Sequence, residues 1–347
     1  MKTFFMNDYG EGAHPIVMQR LLETNMEHTC GYGLDDYSLR AADVIREKCG
    51  QPGAAVHIMV GGTSANSIAI AAFLRPYEAA ICAPTGHINV HETGAIEATG
   101  HKVLPLPGKD GKITAAQVRE AVEAHRADST HEHMVCPGMV YISHPTELGT
   151  LYTRGELSDL SAACRALDIR LYLDGARLGY GLAAQPDVDL PFLAQACDAF
   201  TIGGTKVGML FGEAIVLCDP SLQRCFRYHI KQRGAMLAKG RLLGVQFEAM
   251  LEDDSYIALS RTANGMAQEL KRAFVSHGCP LFSDTQANQI FPILPDAAAK
   301  RLAEKYAFSF WQRMDDTHSA VRFCTSAVTS RADVDALLAD IERAFRH

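Results

Sequence analysis

The chain contains 347 residues, has a formal charge of −7 at pH 7, and is 48% hydrophobic and 21% charged. This composition is typical of a globular protein and excludes a disordered one, and the length suffices for a large α/β unit with a smaller appendage. The mild acidity argues against nucleic acid as the main partner, because phosphate binding requires clustered lysine and arginine. No apolar run approaches the roughly 18 residues of a membrane span.

The cysteines and the N-terminal residues indicate a reducing compartment. Ten cysteines are scattered along the chain without a CxxC pair, so we expect reduced core thiols rather than a zinc cluster or a disulfide framework. The start of the chain lacks the apolar region of a secretory signal, and we expect a cytoplasmic protein. The histidine-rich stretch 128–137 is interpreted as a solvated loop, and no metal ligand is predicted.

Up to about residue 220, short apolar runs alternate with amphipathic stretches. Strands are predicted at 54–60, 79–83, 102–106, 138–143, 170–173, 198–203 and 213–218. Helices are predicted at 64–74, near 89–99, at 115–126 and at 154–167. Repeated strand–helix–strand units with continuous apolar strands indicate the α/β class, with a mostly parallel central sheet that is covered on both faces.

The pattern changes in the last third of the chain. Long helices are predicted at 221–251 and 257–277, and a final helix at 331–346 follows shorter alternating elements. We interpret residues 1–245 as a large domain with an N-terminal arm, and residues 246–347 as a small α+β C-terminal domain.

The first segment that points to chemistry is Gly61-Gly62-Thr63, between a predicted strand and a predicted helix. The N–H groups and positive dipole end of a helix start attract a phosphate, and glycine lets the ligand approach the backbone. The segment matches neither a P-loop nor GxGxxG, and such turns are common without a ligand.

The second segment is LDGAR at 173–177, in which Asp174 ends a buried strand. A carboxylate at that end of a parallel strand faces the crevice where α/β proteins bind ligands. Arg177 is close enough in sequence to reach the same crevice. The alternative is that Asp174 merely caps the following helix.

The third segment is GGTKVGM at 203–209. Lys206 has apolar residues and glycines on both sides, and a desolvated lysine has a depressed pKa that frees its amine to attack a carbonyl. The alternative is a lysine in a surface turn. A phosphate-binding turn, a strand-end aspartate and then a lysine, in this order, suit pyridoxal 5'-phosphate, with Asp174 at the pyridine nitrogen and Lys206 forming the resting imine.

The same residues resemble the low-specificity L-threonine aldolases, which are fold type I pyridoxal-phosphate enzymes of the β-eliminating lyase group. The similarity runs from Asn7 to Arg322, and its most specific pieces are LDGAR and GGTK; further pieces are GGTSANS at 61–67, GHINVHE at 86–92, ISHPTELGTLY at 142–152 and VRFCTS at 321–326. The resemblance implies an aspartate-aminotransferase-like fold, with the large domain carrying the cofactor. It also implies a homodimer or homotetramer with sites at the subunit interface.

The resemblance further assigns roles to individual residues. It implies that His87 stacks on the cofactor ring and moves protons, and that Gly62 and Thr63 hold the phosphate. Arg177 and Arg322 would bind the substrate carboxylate. Asn7 would lie near that carboxylate. Lys231 and Lys239 of a neighbouring subunit would contact the phosphate. A second active-site histidine of many members is replaced here, at a position that we align with Thr146.

The implied reaction is the cleavage of L-threonine, L-allo-threonine and related β-hydroxy-α-amino acids to glycine and an aldehyde. Other pyridoxal-phosphate reactions, namely β-elimination, transamination and racemisation, use the same lysine and aspartate and stay open. A cofactor-binding protein without catalysis and a lysine-dependent TIM-barrel aldolase fit the chain less well, the latter because of the helix-rich region after residue 220.

Overall fold

The structure is a computed structural model that describes residues 2–345. The strands are β1 (Thr3–Phe4), β2 (Ala55–Met59), β3 (Glu78–Cys82), β4 (Lys102–Pro105), β5 (Cys136–Ser143), β6 (Arg170–Asp174), β7 (Ala199–Gly203), β8 (Glu213–Leu217), β9 (Leu281–Ser283), β10 (Gln289–Pro295), β11 (Tyr306–Ala307), β12 (Ser309–Arg313) and β13 (His318–Cys324). The α-helices are α1 (Pro15–Thr24), α2 (Asp36–Lys48), α3 (Gly62–Phe73), α4 (His87–Val90), α5 (Ala115–Ala127), α6 (Arg154–Ala166), α7 (Leu178–Ala184), α8 (Leu190–Ala196), α9 (Phe226–Gln232), α10 (Arg241–Leu251), α11 (Ser255–Ser276), α12 (Asp296–Ala303) and α13 (Arg331–Phe345). None of the helices within this range is long and apolar enough to cross a membrane.

The centre of the molecule is a seven-stranded sheet with the order β2-β8-β7-β6-β5-β3-β4. The strands from β7 to β4 are parallel to one another, and β8 runs antiparallel between β2 and β7. Every residue of β7 and β8 is buried, as expected for strands that are covered on both faces. This architecture confirms the predicted α/β class and mostly parallel sheet.

Apolar side chains cover both faces of this sheet. One face packs against residues of α2, α5, α6, α8 and α10, including Ile45, Val118 and Leu157. The other face packs against α3 and α9, including Ile68 and Phe226. The sheet therefore lies in the middle of three layers, an arrangement in which ligands bind at the strand ends.

Local sequence signals explain where several helices begin. Thr153 accepts a hydrogen bond from the N–H of Glu156, whose side chain in turn accepts from the N–H of Thr153. Thr114 and Gln117 form the same reciprocal arrangement at the start of α5. Such capping boxes satisfy two otherwise unpaired N–H groups and typically add about 1 kcal/mol to helix stability.

The C-terminal part contains a four-stranded antiparallel sheet of order β12-β13-β10-β9. The helices α11 and α13 pack on it around a core that includes Leu270, Phe274 and Leu337. The N-terminal segment joins this region, because Phe5 belongs to the same core and β1 pairs with β11. The predicted boundary between residues 245 and 246 lies within α10, and the division into two domains stays a prediction.

The structure differs from the predicted helices in several places. The expected helix near 89–99 is limited to α4 and a 3-10 turn at Glu97–Thr99, because Gly94 between them has a positive φ of 72°. The expected helix 221–251 is divided into α9 and α10, and Gly234 between them also has a φ of 72°. Positive φ ends a right-handed helix and favours glycine. The sequence analysis did not predict α1, α2, α7 and α8.

Candidate active site

A cavity of about 240 Å³ lies at the carboxyl ends of β5, β6 and β7, where α/β proteins bind ligands. Its walls bring together a glycine-rich turn, an amine, an imidazole, a guanidinium and three carboxyl groups, contributed by Gly61, Gly62, Thr63, His87, Glu147, Asp174, Arg177, Lys206 and Glu213. The residues of the three sequence segments, which are far apart in the chain, therefore meet in one place.

Asp174 ends β6 and is buried beside the cavity. Its Oδ2 accepts hydrogen bonds from Tyr141 Oη at 2.6 Å and Asn66 Nδ2 at 2.8 Å, and its Oδ1 accepts from the N–H of Ala176 at 2.9 Å. Burial alone would raise the pKa of Asp174, but the charge of His87 and these hydrogen bonds outweigh it and lower the pKa. The side chain is therefore an oriented carboxylate that suits a cationic ring nitrogen.

A hydrogen-bond network connects this carboxylate to His87. Asn66 Nδ2 also donates to Glu92 Oε1 at 2.7 Å, and the same oxygen lies 2.8 Å from His87 Nδ1. Burial opposes protonation of His87, but the bond to Glu92 and the charge of Asp174 outweigh it and raise the pKa of His87. The imidazole is thus held in one orientation at the cavity wall, where it suits stacking and proton transfer.

Lys206 lies in the hairpin between β7 and β8. The hairpin is closed by a bond from the N–H of Gly204 to the carbonyl of Gly212 at 2.9 Å. A Cβ on Gly203 would lie 2.4 Å from the carbonyl oxygen of Ala176, so glycine is required there for the hairpin to approach the LDGAR segment. Burial and the positive charge of Arg177 lower the pKa of the Lys206 amine, which favours the neutral nucleophile.

The N-terminus of α3 faces the cavity through Gly62 and Thr63. Its N-cap residue, Gly61, makes no side-chain hydrogen bond to the first turn. A Cβ added to Gly62 would meet nothing closer than Glu213 Oε1, at 4.0 Å. Free N–H groups over open space form a cradle for a phosphate.

The two arginines are positioned in different ways. Arg177 Nε and Nη2 donate to the two carboxylate oxygens of Asp8 at 2.7 and 2.9 Å, so part of its donor set is already used. Arg322 lines an adjoining cavity that it shares with Arg177, Lys206 and His87. Its Nε is buried and has no hydrogen-bond partner within the described chain. An unpaired guanidinium donor beside a cavity that Lys206 also lines suits a substrate carboxylate.

Three of the predicted site residues lie outside these cavities. Asn7 accepts a hydrogen bond from the N–H of Tyr9, which itself lines the adjoining cavity. Lys231 is exposed on α9, with Nζ 4.4 Å from the ring centre of Tyr32, and Lys239 is also exposed. Their predicted contribution to a neighbouring subunit stays a prediction.

The sequence analysis missed several polar groups that line or support the cavity: Asp8, Asn66, Glu92, Tyr141, Glu147 and Glu213. Glu147 Oε1 accepts from the backbone N–H of His87 at 2.9 Å and from Ser143 Oγ. The position that we aligned with a second histidine, Thr146, is instead buried and bonded to Thr150, and Glu147 faces the cavity. The only sequence signal was that Glu147 lies four residues after a buried strand, whereas Asp174 ends one.

The residues present fit pyridoxal phosphate. Asp174 matches a protonated pyridine nitrogen, the uncapped start of α3 matches a phosphate, and the neutral amine of Lys206 matches an aldehyde. His87 provides a flat face at the cavity wall. No group of three side chains suited to a metal ion was found among residues 2–345.

Comparison with known proteins agrees with this fit. A family model described as beta-eliminating lyase matches residues 12–294. The low specificity L-threonine aldolase of a Pseudomonas species is 33% identical over 97% of this chain and 96% of its own length. The enzyme of the same name from Pseudomonas aeruginosa is 33% identical over 86% of each chain.

A solved structure, that of the threonine aldolase of Leishmania major, is 40% identical and superimposes with a TM-score of 0.96 over 99% of this chain and 100% of that chain. These similarities confirm the family, fold class and cofactor that the sequence predicts. The chain therefore belongs to the beta-eliminating lyase family of pyridoxal-phosphate-dependent enzymes, and its relatives within that family include the low-specificity L-threonine aldolases.

Proposed function

We propose that the protein cleaves L-threonine, L-allo-threonine and related β-hydroxy-α-amino acids to glycine and an aldehyde. The observation that carries this proposal is the meeting of the Lys206 amine, the Asp174 carboxylate and two arginines around connected cavities. The similarity to threonine aldolases over almost the whole chain supports the choice of the bond that is cleaved.

Asp174, Lys206, His87, Gly62 and Thr63 would hold pyridoxal phosphate in this site. When bound, the cofactor supplies an electron sink for the pair released at the substrate α-carbon. Asp174 would keep the ring nitrogen protonated, because its own pKa is lowered and it stays ionised. The Lys206 amine would be the covalent attachment point, and burial lowers its pKa and so keeps it reactive.

The chain's own groups then orient the substrate and move its protons. Arg322, with its unpaired Nε, and Arg177 fix the α-carboxylate. We assign the removal of the β-hydroxyl proton to His87, either directly or through a water that it holds, because Glu92 fixes its other ring nitrogen. Breakage of the Cα–Cβ bond releases the aldehyde, and a proton delivered to the α-carbon completes glycine.

We also propose a homo-oligomer in which a neighbouring subunit completes the site. Large apolar side chains are exposed along the N-terminal region, namely Ile16, Met18, Leu22, Met26, Leu34 and Leu39. Large exposed apolar side chains that are concentrated in one region favour an interface. Lys231 and Lys239 would extend from one subunit towards the phosphate of the other, and Asn7 would lie near the substrate carboxylate. A cytoplasmic location belongs to the same proposal.

The test combines a product assay with a spectrum. We expect purified protein to be yellow, to change its absorbance on addition of glycine, and to release glycine and acetaldehyde from L-threonine and L-allo-threonine. We expect Lys206→Ala to abolish turnover while the fold persists by circular dichroism. Formation of pyruvate without glycine, or normal cleavage by Lys206→Ala, would reject the proposal.

A further inference from the structure

Glu213 is a buried carboxyl group at the edge of the cofactor cavity that the mechanism above does not use. It begins β8 and is only 2% exposed, and its backbone lies opposite Met59 on one side and Gly203 on the other. Its Oε2 is buried without a hydrogen-bond partner in the part of the chain that the structure describes. A buried polar atom without a hydrogen-bond partner destabilises the fold, so its retention suggests a function.

The position of this carboxyl group relates it to the phosphate cradle. Its Oε1 lies 4.0 Å from the place that a Cβ on Gly62 would occupy, in the open space at the start of α3. A phosphate dianion held by the N–H groups of Gly62 and Thr63 would therefore approach Glu213. Two anionic groups that approach each other in a buried site repel each other.

The cations that line the cavity have other partners. Arg177 is paired with Asp8, and the amine of Lys206 would react with the cofactor aldehyde and so would not pair with the phosphate. The carboxylate of Asp174 adds a further negative charge that acts on Glu213. Glu213 relieves the repulsion if it carries a proton, because a neutral carboxyl group is a hydrogen-bond donor.

We propose that Glu213 is a positioning residue that takes up a proton from solvent and donates a hydrogen bond to the cofactor phosphate held at Gly62 and Thr63. Cofactor binding is therefore coupled to proton uptake at Glu213. The proton moves from solvent to a carboxylate oxygen, and no covalent bond to carbon or phosphorus changes.

The electrostatics of the surrounding elements agree with this role. Burial, followed by the charge of Asp174, raises the pKa of Glu213 to about 8 even before an anion binds. Several titratable or charged groups interact electrostatically with Glu213. They are Tyr172 and Asp174 on β6, Arg177 before α7, Lys206 in the hairpin after β7, and Tyr256 on α11. A bound phosphate dianion would raise the pKa of Glu213 further, so the cofactor complex binds an additional proton at alkaline pH.

The experiment compares the affinity of the apo-protein for pyridoxal phosphate and for pyridoxal, which lacks the phosphate, between pH 7.5 and 9.5. We expect Glu213→Gln, whose amide is a permanent donor, to bind pyridoxal phosphate with a weaker pH dependence than wild type. Above pH 8 the ratio of wild-type to variant dissociation constants should rise by up to about tenfold per pH unit. For pyridoxal this ratio should stay constant. Asp198→Asn, which alters a half-buried carboxyl group that does not line this cavity, should retain the wild-type dependence.

Calorimetry in two buffers of different ionisation enthalpy gives a second readout on the wild-type protein. At pH 8.5 we expect pyridoxal phosphate to bind with greater proton uptake than pyridoxal. Equal uptake for both ligands, or parallel pH dependences for wild type and Glu213→Gln, would overturn the proposal. It rests on the cofactor but not on the bond that is cleaved, so failure of wild type to bind pyridoxal phosphate at any pH would instead refute the proposed function.

Discussion

Arg177 and Asp8 form a bidentate ion pair, in which Nε and Nη2 of the guanidinium donate to the two carboxylate oxygens at 2.7 and 2.9 Å. Asp8 also accepts from Asn288 Nδ2 at 2.9 Å. One buried carboxylate thus links the N-terminal segment to Arg177, between β6 and α7, and to the residue before β10. The pair fixes the orientation of the arginine that faces the reactive amine.

Asp8→Asn should therefore destabilise the fold and misplace Arg177. Removal of one partner from a buried ion pair typically costs about 3–5 kcal/mol, because the other charge is left uncompensated. We expect a lower denaturation midpoint and a raised KM for L-threonine. The matched control is Asp335→Asn, which breaks an exposed pair with Arg331 and should cost less than about 1 kcal/mol. Equal effects of the two variants would contradict this expectation.

The effect of Asp8→Asn should also depend on pH. Burial opposes ionisation of Asp8, but the charge and hydrogen bonds of Arg177 outweigh it and lower the pKa of Asp8 below its ordinary 3.8. A carboxyl group with a lowered pKa in the folded state stabilises the protein above its unfolded pKa, and this contribution is lost as pH falls through the folded pKa. The stability difference between wild type and variant should thus be full near neutral pH and shrink below pH 3.8. A difference that grows with acidity would be inconsistent with the ion pair.

Glu92→Gln should shift the titration of His87. The bond between Glu92 Oε1 and His87 Nδ1 is among the causes that raise the pKa of His87. Loss of the charge should lower that pKa, so the acidic limb of the kcat profile should move to lower pH if neutral His87 accepts the β-hydroxyl proton. Nuclear magnetic resonance titration of the imidazole provides a readout that is independent of turnover. An unchanged imidazole titration would show that Glu92 does not control His87.

The effects of His87→Asn and Glu147→Gln on kcat should show which of the two residues is the general base. Loss of a general base typically lowers kcat by about 10²–10⁴-fold, and we expect this for His87→Asn. Glutamine at 147 keeps an oxygen that accepts from the His87 N–H and from Ser143, so Glu147→Gln should change kcat by less than about tenfold. The reverse order of the two effects, measured as acetaldehyde release, would identify Glu147 as the base.

Gly203→Ala should disrupt the approach of the lysine hairpin to the LDGAR segment. The added Cβ would lie 2.4 Å from a backbone oxygen of Ala176, a contact that requires the backbone to shift. Overpacking of this kind costs about 1–3 kcal/mol or more, and we expect weaker cofactor binding by absorbance titration. Gly265→Ala, in α11 with open space around it, should instead stabilise the fold by about 0.5–1 kcal/mol. Normal cofactor affinity in Gly203→Ala would reject this explanation of the glycine.

The sequence predicts those parts of the fold and site that depend on local patterns. The apolar strands that end at Asp174 and Gly203 were found within a residue or two of their observed bounds, and three chemical segments proved to line one cavity. The contacts of Asn66 and Asp8 were not predictable, because they join residues more than a hundred positions apart. Such contacts follow from the order of the strands, which periodicity does not specify.

Hydrogen-bond ladders on both edges of β8, to β2 and to β7, support the base of the hairpin that carries Lys206. The opposite wall of the adjoining cavity comes from β12 and β13, through Phe310, Trp311 and Arg322. The hairpin and the cavity wall formed by β12 and β13 should therefore differ in how well they tolerate substitution. Variation of Phe310, which is 65% exposed, should retune the choice of aldehyde, whereas changes in the hairpin would displace the nucleophile itself.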